Sequence, residues 1–157
     1  MKYSVIVLFC MAAVSGCLKE NYTPEGLGEK IALTYDMALH DAAVLLKGTP
    51  DPDSVRVQVF QLKTKYVKIM ADYGVIRQKM NGDEKETVDS IVFSAVANCN
   101  IDDAETVRAA MEAFGAKGET DLTVAVSHFL IINQYANFDI LMKYSPKEAA
   151  SLGIPIN

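Results

Sequence analysis

The sequence predicts an all-α fold, a bundle of four to five antiparallel helices that ends in a short C-terminal helical turn. Side chains that cap helices recur just before segments of helical periodicity. Residues 55–80 keep a heptad stripe of apolar side chains, which is typical of a long packed helix. No segment alternates apolar and polar residues independently of a helical period, since Val55, Val57 and Val59 alternate inside a longer helical stripe.

The first two predicted helices cover residues 24–47 and 52–80. Thr23 and Asp51 each precede a proline, an arrangement that places a capping oxygen before a proline at the first helical position. The apolar stripe of the second helix consists of Val55, Val59, Leu62, Tyr66, Ile69, Tyr73, Ile76 and Met80. Its opposite face carries the basic residues Lys63, Lys65, Arg77 and Lys79. For this edge two roles stay open: surface pairing with the acidic helix starts at Asp83 and Asp102, or contact with a partner.

The remaining predicted helices cover residues 83–98, 102–114 and 120–143, and a last turn covers 146–152. Three pairs fit the capping-box pattern, in which a glutamate follows the capping residue by three positions: Asp83 with Glu86, Asp102 with Glu105, and Ser145 with Glu148. Asn81-Gly82 and the segment 115–118 are helix-stop signals. The loops between these elements are short, so successive helices are expected to be antiparallel neighbours.

The segment 120–143 is apolar on all sides in its first half. Its apolar residues there are Val124, Ala125, Val126, Phe129, Leu130, Ile131 and Ile132. A helix without a polar face needs neighbours on every side. We therefore expect a continuous helix over 120–143 in the middle of the bundle.

The N-terminal residues 1–17 carry the features of an export signal. Lys2 precedes an apolar run over residues 5–14, which is too short for a membrane span of about 20 residues but suits the apolar region of a signal peptide. The run ends in Val14-Ser15-Gly16-Cys17, which resembles the lipobox of bacterial lipoproteins. The resemblance covers the leader alone, and residues 18–157 resemble no family.

The lipobox resemblance implies a signal peptide over 1–16, a lipidated Cys17 with a tether over 17–23, and a single helical domain over 24–157. Lipoproteins of this class carry a diacylglyceryl group, and two hydrophobic signals anchor a protein stably to a membrane. The resemblance therefore implies a lipid-anchored protein of the cell envelope. Leu18, not an aspartate, follows the cysteine, which favours the outer membrane if the cell is Gram-negative. An ordinary secretory leader cleaved near Gly16, or a buried N-terminal helix, are the alternatives.

The net charge and the cysteines limit which partners and which disulfide bonds the exported part can have. The chain has 15 Lys and Arg against 20 Asp and Glu, and loss of Lys2 with the leader leaves a net charge of −6. An acidic surface disfavours nucleic acid and electrostatic docking on anionic lipid. Cys10 leaves with the leader and Cys17 is acylated in this interpretation, so Cys99 has no partner for an internal disulfide. About 140 residues form one domain whose stability must come from its core.

The sequence favours a protein without catalytic activity or cofactor. The histidines are His40 and His128, and neither follows a glutamate by three residues, as a di-metal helical bundle requires. Asp36 and His40 lie one turn apart and form at most a two-ligand clip, which is more typical of a solvated polar face. Cys99, at a predicted helix C-terminus, faces the negative end of the helix dipole, which disfavours a reactive thiolate and favours a small buried side chain.

Two functions follow from these observations. The first is a membrane-anchored cell-envelope lipoprotein that acts as a non-catalytic structural or protein-interaction module, with a partner protein in the envelope. The alternative is a protein that binds a small apolar ligand between its helices. For that alternative the ligand-lining residues are Tyr66 and Tyr73, one heptad apart on the second helix, and His128 as a polar anchor. The same three side chains also fit an ordinary filled core.

Overall fold

The computed structural model describes residues 22–154, which form α-helices and short 3₁₀ turns. The helices are α1 (Pro24–Leu46), α2 (Pro52–Gln78), α3 (Gly82–Ala97), α4 (Ile101–Ala116), α5 (Thr120–Ser127), α6 (Phe138–Tyr144) and α7 (Pro146–Ser151). Between α5 and α6 lie two 3₁₀ turns, His128–Leu130 and Ile132–Ala136, which we call the 3₁₀ segment. The prediction of an all-α bundle is confirmed, since no residue between 22 and 154 forms a strand.

Helix α1 lies at the centre of the bundle, because α2, α3, α4 and the 3₁₀ segment all pack against it. Its closest contact is with α3, where a Cβ on Gly28 would lie 3.0 Å from the Cβ of Ile91. This glycine allows the two helix backbones to approach each other. The central position expected for residues 120–143 therefore belongs to α1.

Side-chain contacts give the directions of the first three helices. Near the start of α1, Tyr22 makes an edge-to-face contact with Tyr73 of α2. Towards the end of α1, Asp41 accepts a hydrogen bond from Tyr66, so α2 runs antiparallel to α1. Helix α3 then returns in the direction of α1.

Two of the predicted helix caps are confirmed, and the two internal capping boxes are displaced. The Thr23 hydroxyl accepts a hydrogen bond from the backbone N–H of Gly26, and the Asp51 carboxylate accepts one from Asp53. Asn81, not Asp83, caps α3 in a complete capping box with Glu84. Each of these caps satisfies a backbone N–H that the first turn of a helix leaves unpaired.

The caps of α4 and α7 also differ from the prediction. Asn100, two residues before Asp102, accepts the N-terminal hydrogen bonds of α4. Ser145 precedes α7 but makes no side-chain capping bond. Glu148, its predicted capping-box partner, accepts a hydrogen bond from His128 in the 3₁₀ segment instead.

The prediction of one continuous helix over residues 120–143 is wrong. Helix α5 ends at Ser127, the 3₁₀ segment follows, and Asn137 has an extended backbone whose side chain caps α6 at Ile140. A straight helix of this length contacts α1 and α2 along one of its sides, so the apolar side chains on its other side stay uncovered. The break turns the chain, so that buried residues on both sides of it, such as Phe129 and Phe138, face the same core.

The buried face of α2 is rotated relative to the predicted stripe. Val55, Val59 and Tyr66 are buried as predicted, but further along the helix the buried positions are Met70, Gly74 and Arg77, while the stripe residues 69, 73, 76 and 80 are half-buried. An α-helix drifts by about 20° per heptad relative to a strict seven-residue repeat. The drift carries Arg77, which was expected on the face opposite the stripe, into the interior with 4% of its surface exposed.

Within residues 22–154, none of the helices combines the length and the hydropathy that a membrane-spanning segment requires.

Candidate functional site: a groove between α3 and α6

A surface groove of about 200 Å³ lies between α3 and the chain that leads from the 3₁₀ segment into α6. We call it the α3–α6 groove. One wall carries Val88, Val92 and Val96 of α3, the other wall carries Ala136 and Ile140, and Ile31 of α1 lies at the base. The groove is more enclosed than the shallow depressions beside Phe60 and Val44.

Phe93 also lines this groove and is strongly exposed. Its side chain is 77% exposed, although it lies between the buried or half-buried valines of α3 in sequence. A phenylalanine gains about 1.5–3 kcal/mol when it moves from water into an apolar environment. A large exposed aromatic side chain beside an apolar groove is therefore a feature typical of an interaction site.

An ionic cluster around the buried guanidinium of Arg77 lies at one end of the groove. Arg77 donates from Nε and Nη2 to the two carboxylate oxygens of Asp89, at 2.8 and 2.6 Å, and from Nη1 to Asp139 at 3.1 Å. Asn137 donates its amide to both oxygens of Asp89 at 3.3 Å. The cluster ties α2, α3 and α6 together and fixes the walls of the groove at this end.

Hydrogen-bond partners within the cluster stabilise the ionised forms of Arg77 and Asp139. Burial by itself lowers the pKa of Arg77, but the two carboxylates that accept its hydrogen bonds raise it above its usual value. Burial likewise raises the pKa of Asp139, but hydrogen bonds from Arg77 and Gln78 outweigh that effect and lower it overall. The hydrogen bonds between them therefore favour the charged forms of both Arg77 and Asp139, and the nearby charge of Lys85 acts on Asp139 in the same direction.

This arrangement determines what the groove can bind. The guanidinium of Arg77 is already paired with two carboxylates and almost fully buried, so it is not available to an anionic ligand. Asp89 and Asp139 keep 42% and 56% of their side-chain surfaces exposed. Asp89 lines the groove and Asp139 does not, so the groove offers apolar walls along its length and the partly exposed carboxylate of Asp89 at one end.

The predicted ligand-lining residues lie elsewhere and do not come together. Tyr66 is buried between α1 and α2, where its hydroxyl donates to Asp41 at 2.6 Å and Lys65 lies over its ring. Burial and the nearby Asp41 carboxylate raise the pKa of Tyr66. Tyr73 is half-buried and packs against Tyr22. Neither tyrosine lines the α3–α6 groove.

His128 joins the 3₁₀ segment to α7. Its Nδ1 faces the backbone oxygen of Val124, and its Nε2 lies 2.8 Å from a carboxylate oxygen of Glu148. Its ring also lies beside Tyr135, whose buried hydroxyl has no hydrogen-bond partner among the described residues. The structure thus gives His128 the role of a paired core histidine, and His128 does not line the groove.

The other residues considered from the sequence occupy separate places. Cys17 lies outside the described residues, so its predicted lipidation stays a prediction. His40 lies 3.1 Å from Asp103 of α4, not paired with Asp36. Cys99 is half-buried beside Tyr35, and burial, followed by this thiol, raises the pKa of Tyr35 to about 12. Among residues 22–154, no group of three or more potential ligands converges on a metal site.

Sequence reasoning missed the groove and its ionic cluster. One signal for Arg77 is present in the sequence: it follows the buried Val59 by 18 residues, which is five helical turns, and therefore lies on the same face of α2. Nothing comparable marks Asp89, Asn137 or Asp139, because these residues meet only after α2, α3 and α6 have packed.

In comparisons with known proteins, no protein-family model, curated protein or solved structure matches the chain.

Proposed function

We propose that this protein is a lipid-anchored module of the cell envelope that binds a partner protein through the α3–α6 groove and has no catalytic role. The observation that carries the proposal is the apolar groove with Phe93 exposed beside it. Aromatic side chains are enriched among the residues that contribute most to protein–protein binding. The lipobox at residues 14–17 supports the anchor.

The position of the groove suits a tethered module. Five residues lie between Cys17 and the cap at Thr23, so the bundle begins within about 20 Å of the anchor. Tyr22, at the start of the described chain, contacts Tyr73 of α2, which lies one turn before Arg77. The ionic end of the groove is therefore at the tethered end of the bundle, where proteins of the same membrane surface are within reach.

The dimensions of the groove favour a protein partner over a small apolar ligand. Pockets for small molecules usually enclose about 300–1,000 Å³, whereas this groove encloses about 200 Å³ and is open to solvent. Side chains from a partner fit such a space without being enclosed. Native mass spectrometry tests the alternative directly, because a retained small molecule adds to the mass of the chain, and such an adduct would favour the ligand-binding function.

Site-specific crosslinking in cells tests the binding proposal. We would place a photoreactive amino acid at Phe93 and, as a matched control, at Val75, which is 49% exposed on α2 and does not line the groove. The proposal predicts a discrete adduct from position 93 that is absent from position 75 and is lost when Val96 on the groove wall is changed to Glu. No adduct at 93, or the same adducts at both positions, would contradict it.

Metabolic labelling tests the anchor separately. An alkyne fatty acid should label the wild-type chain and leave the Cys17→Ser variant unlabelled. Equal labelling of both chains would rule out acylation at Cys17, while the crosslinking result would still decide whether the groove binds a partner.

A further inference from the structure

We infer that residues 145–154, which contain α7, dock on the bundle through a proton that His128 holds against Glu148, and that this segment opens as the pH rises and the proton is lost. The inference goes beyond the proposed function, because neither residue lines the α3–α6 groove. Three observations support it: the two acceptors around the ring of His128, the charges near Glu148, and the way in which α7 is attached to the bundle.

Both ring nitrogens of His128 face hydrogen-bond acceptors. Nδ1 faces the backbone oxygen of Val124, and Nε2 lies 2.8 Å from a carboxylate oxygen of Glu148. A carbonyl oxygen and an ionised carboxylate can only accept hydrogen bonds, and a neutral imidazole has one N–H to donate. The imidazolium has two, so it satisfies both contacts. Because only 9% of this side chain is exposed, water does not replace a missing bond on the ring.

The proton belongs to the histidine and not to Glu148. A protonated Glu148 that donates to a neutral ring would fit the same distances. However, the Glu148 side chain is 35% exposed, and its oxygen lies 3.9 Å from Nζ of Lys63, so both solvent and charge favour the ionised carboxylate. Lys63 is beyond hydrogen-bond distance from this oxygen and therefore does not substitute for the bond from His128.

The other elements around the ring contribute no competing charge. The ring of Tyr135 in the 3₁₀ segment lies 6.1 Å from that of His128, and Tyr35 of α1 is buried beside Cys99. The buried residues of α4 and α5 are all apolar. Tyrosine stays neutral in the range of about pH 5–8 in which histidine changes its charge. Glu148 and, behind it, Lys63 are therefore the charged groups that act on this ring among the described residues.

The attachment of α7 depends on this contact. Among residues 22–154, the side-chain hydrogen bonds and ion pairs from α7 to other elements all involve Glu148, with His128 or with Lys63. Ala149 and Ile154 add buried apolar contacts. Helix α7 has six residues and no side-chain cap, so it is too short to stay helical without its packing.

The direction of the pH response follows from the proton count. Docking takes up a proton whenever the ring of the open segment is neutral, so docking is strongest where histidine is protonated in any case and weakens as the pH rises. Loss of one hydrogen bond to a charged group changes an equilibrium by about tenfold to a hundredfold. We therefore expect the open fraction of residues 145–154 to increase by that factor between about pH 6 and pH 8.5.

NMR and hydrogen exchange of the full chain, purified in mild detergent, test this inference. Nitrogen shifts of the imidazole should show two protonated nitrogens on His128 at about pH 6. The protection factors of the backbone amides in residues 149–154, each corrected for the intrinsic exchange rate at that pH, should fall by about tenfold to a hundredfold at pH 8.5. Amides of α1 report opening of the whole bundle and should keep their protection.

Two variants separate this contact from other effects of pH. In Glu148→Gln, the amide can donate to the Nε2 of a neutral ring while Nδ1–H donates to Val124, so protection of residues 149–154 should no longer depend on pH. His40→Gln is the matched control, because it removes the other histidine of the chain, which is exposed and lies beside Asp103 of α4. The pH response of residues 149–154 should be unchanged in this variant.

Four results would overturn the inference. These are a neutral His128 ring at about pH 6 while α7 is docked, equal protection of residues 149–154 at both pH values, a pH response that persists in Glu148→Gln, or a response that disappears in His40→Gln. The last result would assign the titration to His40. None of these results bears on the crosslink at position 93, which tests the proposed function separately.

Discussion

Replacement of Gly74 by alanine tests how α2 packs against α6. Gly74 is buried in the interior of α2, and a Cβ built there lies 2.3 Å from Cε1 and 2.7 Å from Cζ of Phe138. Real Cβ atoms essentially never approach another heavy atom so closely. Phe138 is itself buried, so its ring cannot turn away without disturbing the core.

Two opposing effects determine how much Gly74→Ala changes the free energy of unfolding. Alanine in place of glycine stabilises a helix interior by up to about 1 kcal/mol. Overpacking of a filled core costs about 1–3 kcal/mol, and overlap with several ring atoms belongs at the upper end of that range. We therefore expect the free energy of unfolding to fall by about 2 kcal/mol in net terms.

Urea unfolding followed by circular dichroism at about 222 nm measures this change, and two variants sharpen it. Gly115→Ala in α4 is the matched control, because its nearest contact would be an ordinary 3.8 Å to Thr123; it should be neutral or stabilising by up to about 1 kcal/mol. Phe138→Leu removes the ε and ζ ring atoms and keeps δ carbons, of which Cδ1 lies 2.9 Å from the added Cβ, so in this background Gly74→Ala should destabilise less than in the wild type. The double-mutant cycle isolates the contact between the two residues.

The reasoning is refuted if Gly74→Ala is as stable as the wild type. It is equally refuted if Gly74→Ala loses the same stability in the wild-type and Phe138→Leu backgrounds, since the loss then has another cause. Confirmation would establish the position of α6, and with it the wall of the groove that carries Ile140.

Three further predictions concern the polar groups. Tyr135→Phe should leave stability unchanged or raise it by about 1 kcal/mol in urea unfolding, because the buried Tyr135 hydroxyl has no partner among the described residues; a large loss would show that the hydroxyl is bonded. Because the pKa of Asp139 is lowered in the folded state, its stabilising effect is present above about pH 4 and is lost as the pH falls through the folded-state pKa. The free energy of unfolding of Asp139→Asn should therefore fall less steeply in acid than that of the wild type. An unchanged pH profile would argue against the bond between Asp139 and Arg77. Asn137→Asp keeps the capping oxygen of α6 but places a second carboxylate about 3.3 Å from Asp89. It should therefore destabilise the protein more than Asn100→Asp, a control that also exchanges one helix-capping residue for another. Equal melting temperatures for the two variants would contradict the contact between Asn137 and Asp89.

The sequence was sufficient for the fold class and for most helix positions, because periodicity and caps are local signals. It was ambiguous where two caps compete. Asn81 and Asp83 are each followed by a glutamate three residues later, so both fit a capping box, and in the structure Asn81 forms it. At α4 Asp102 alone fits the capping-box spacing, since Asp103 and not a glutamate follows Asn100 by three residues, yet Asn100 accepts the N-terminal hydrogen bonds.

The groove was not predictable for a different reason: its walls come from segments far apart in the chain. Val88 and Val92 have the same local pattern whether a helix covers them or a groove lies beside them. Arg77 carries a positional signal, but its partners Asp89 and Asp139 lie 12 and 62 residues away. Long-range charge pairs leave no periodicity in a single sequence, and an arginine on a helix is usually solvated.

The missed break in residues 120–143 and the missed groove have one structural cause. Asn137 leaves the helical conformation, with φ −118° and ψ 91°, and its side chain then serves two elements: the oxygen caps α6 at Ile140, and the amide donates to Asp89 on α3. In a continuous helix the backbone N–H of Ile140 is bonded internally and has no need of a cap. Because the helix ends here, Asn137 joins the ionic cluster and Ile140 faces the valines of α3. The α3–α6 groove therefore exists where the chain gives up helical hydrogen bonds, and the cap at Asn137 together with the bonds of Arg77 compensates for them.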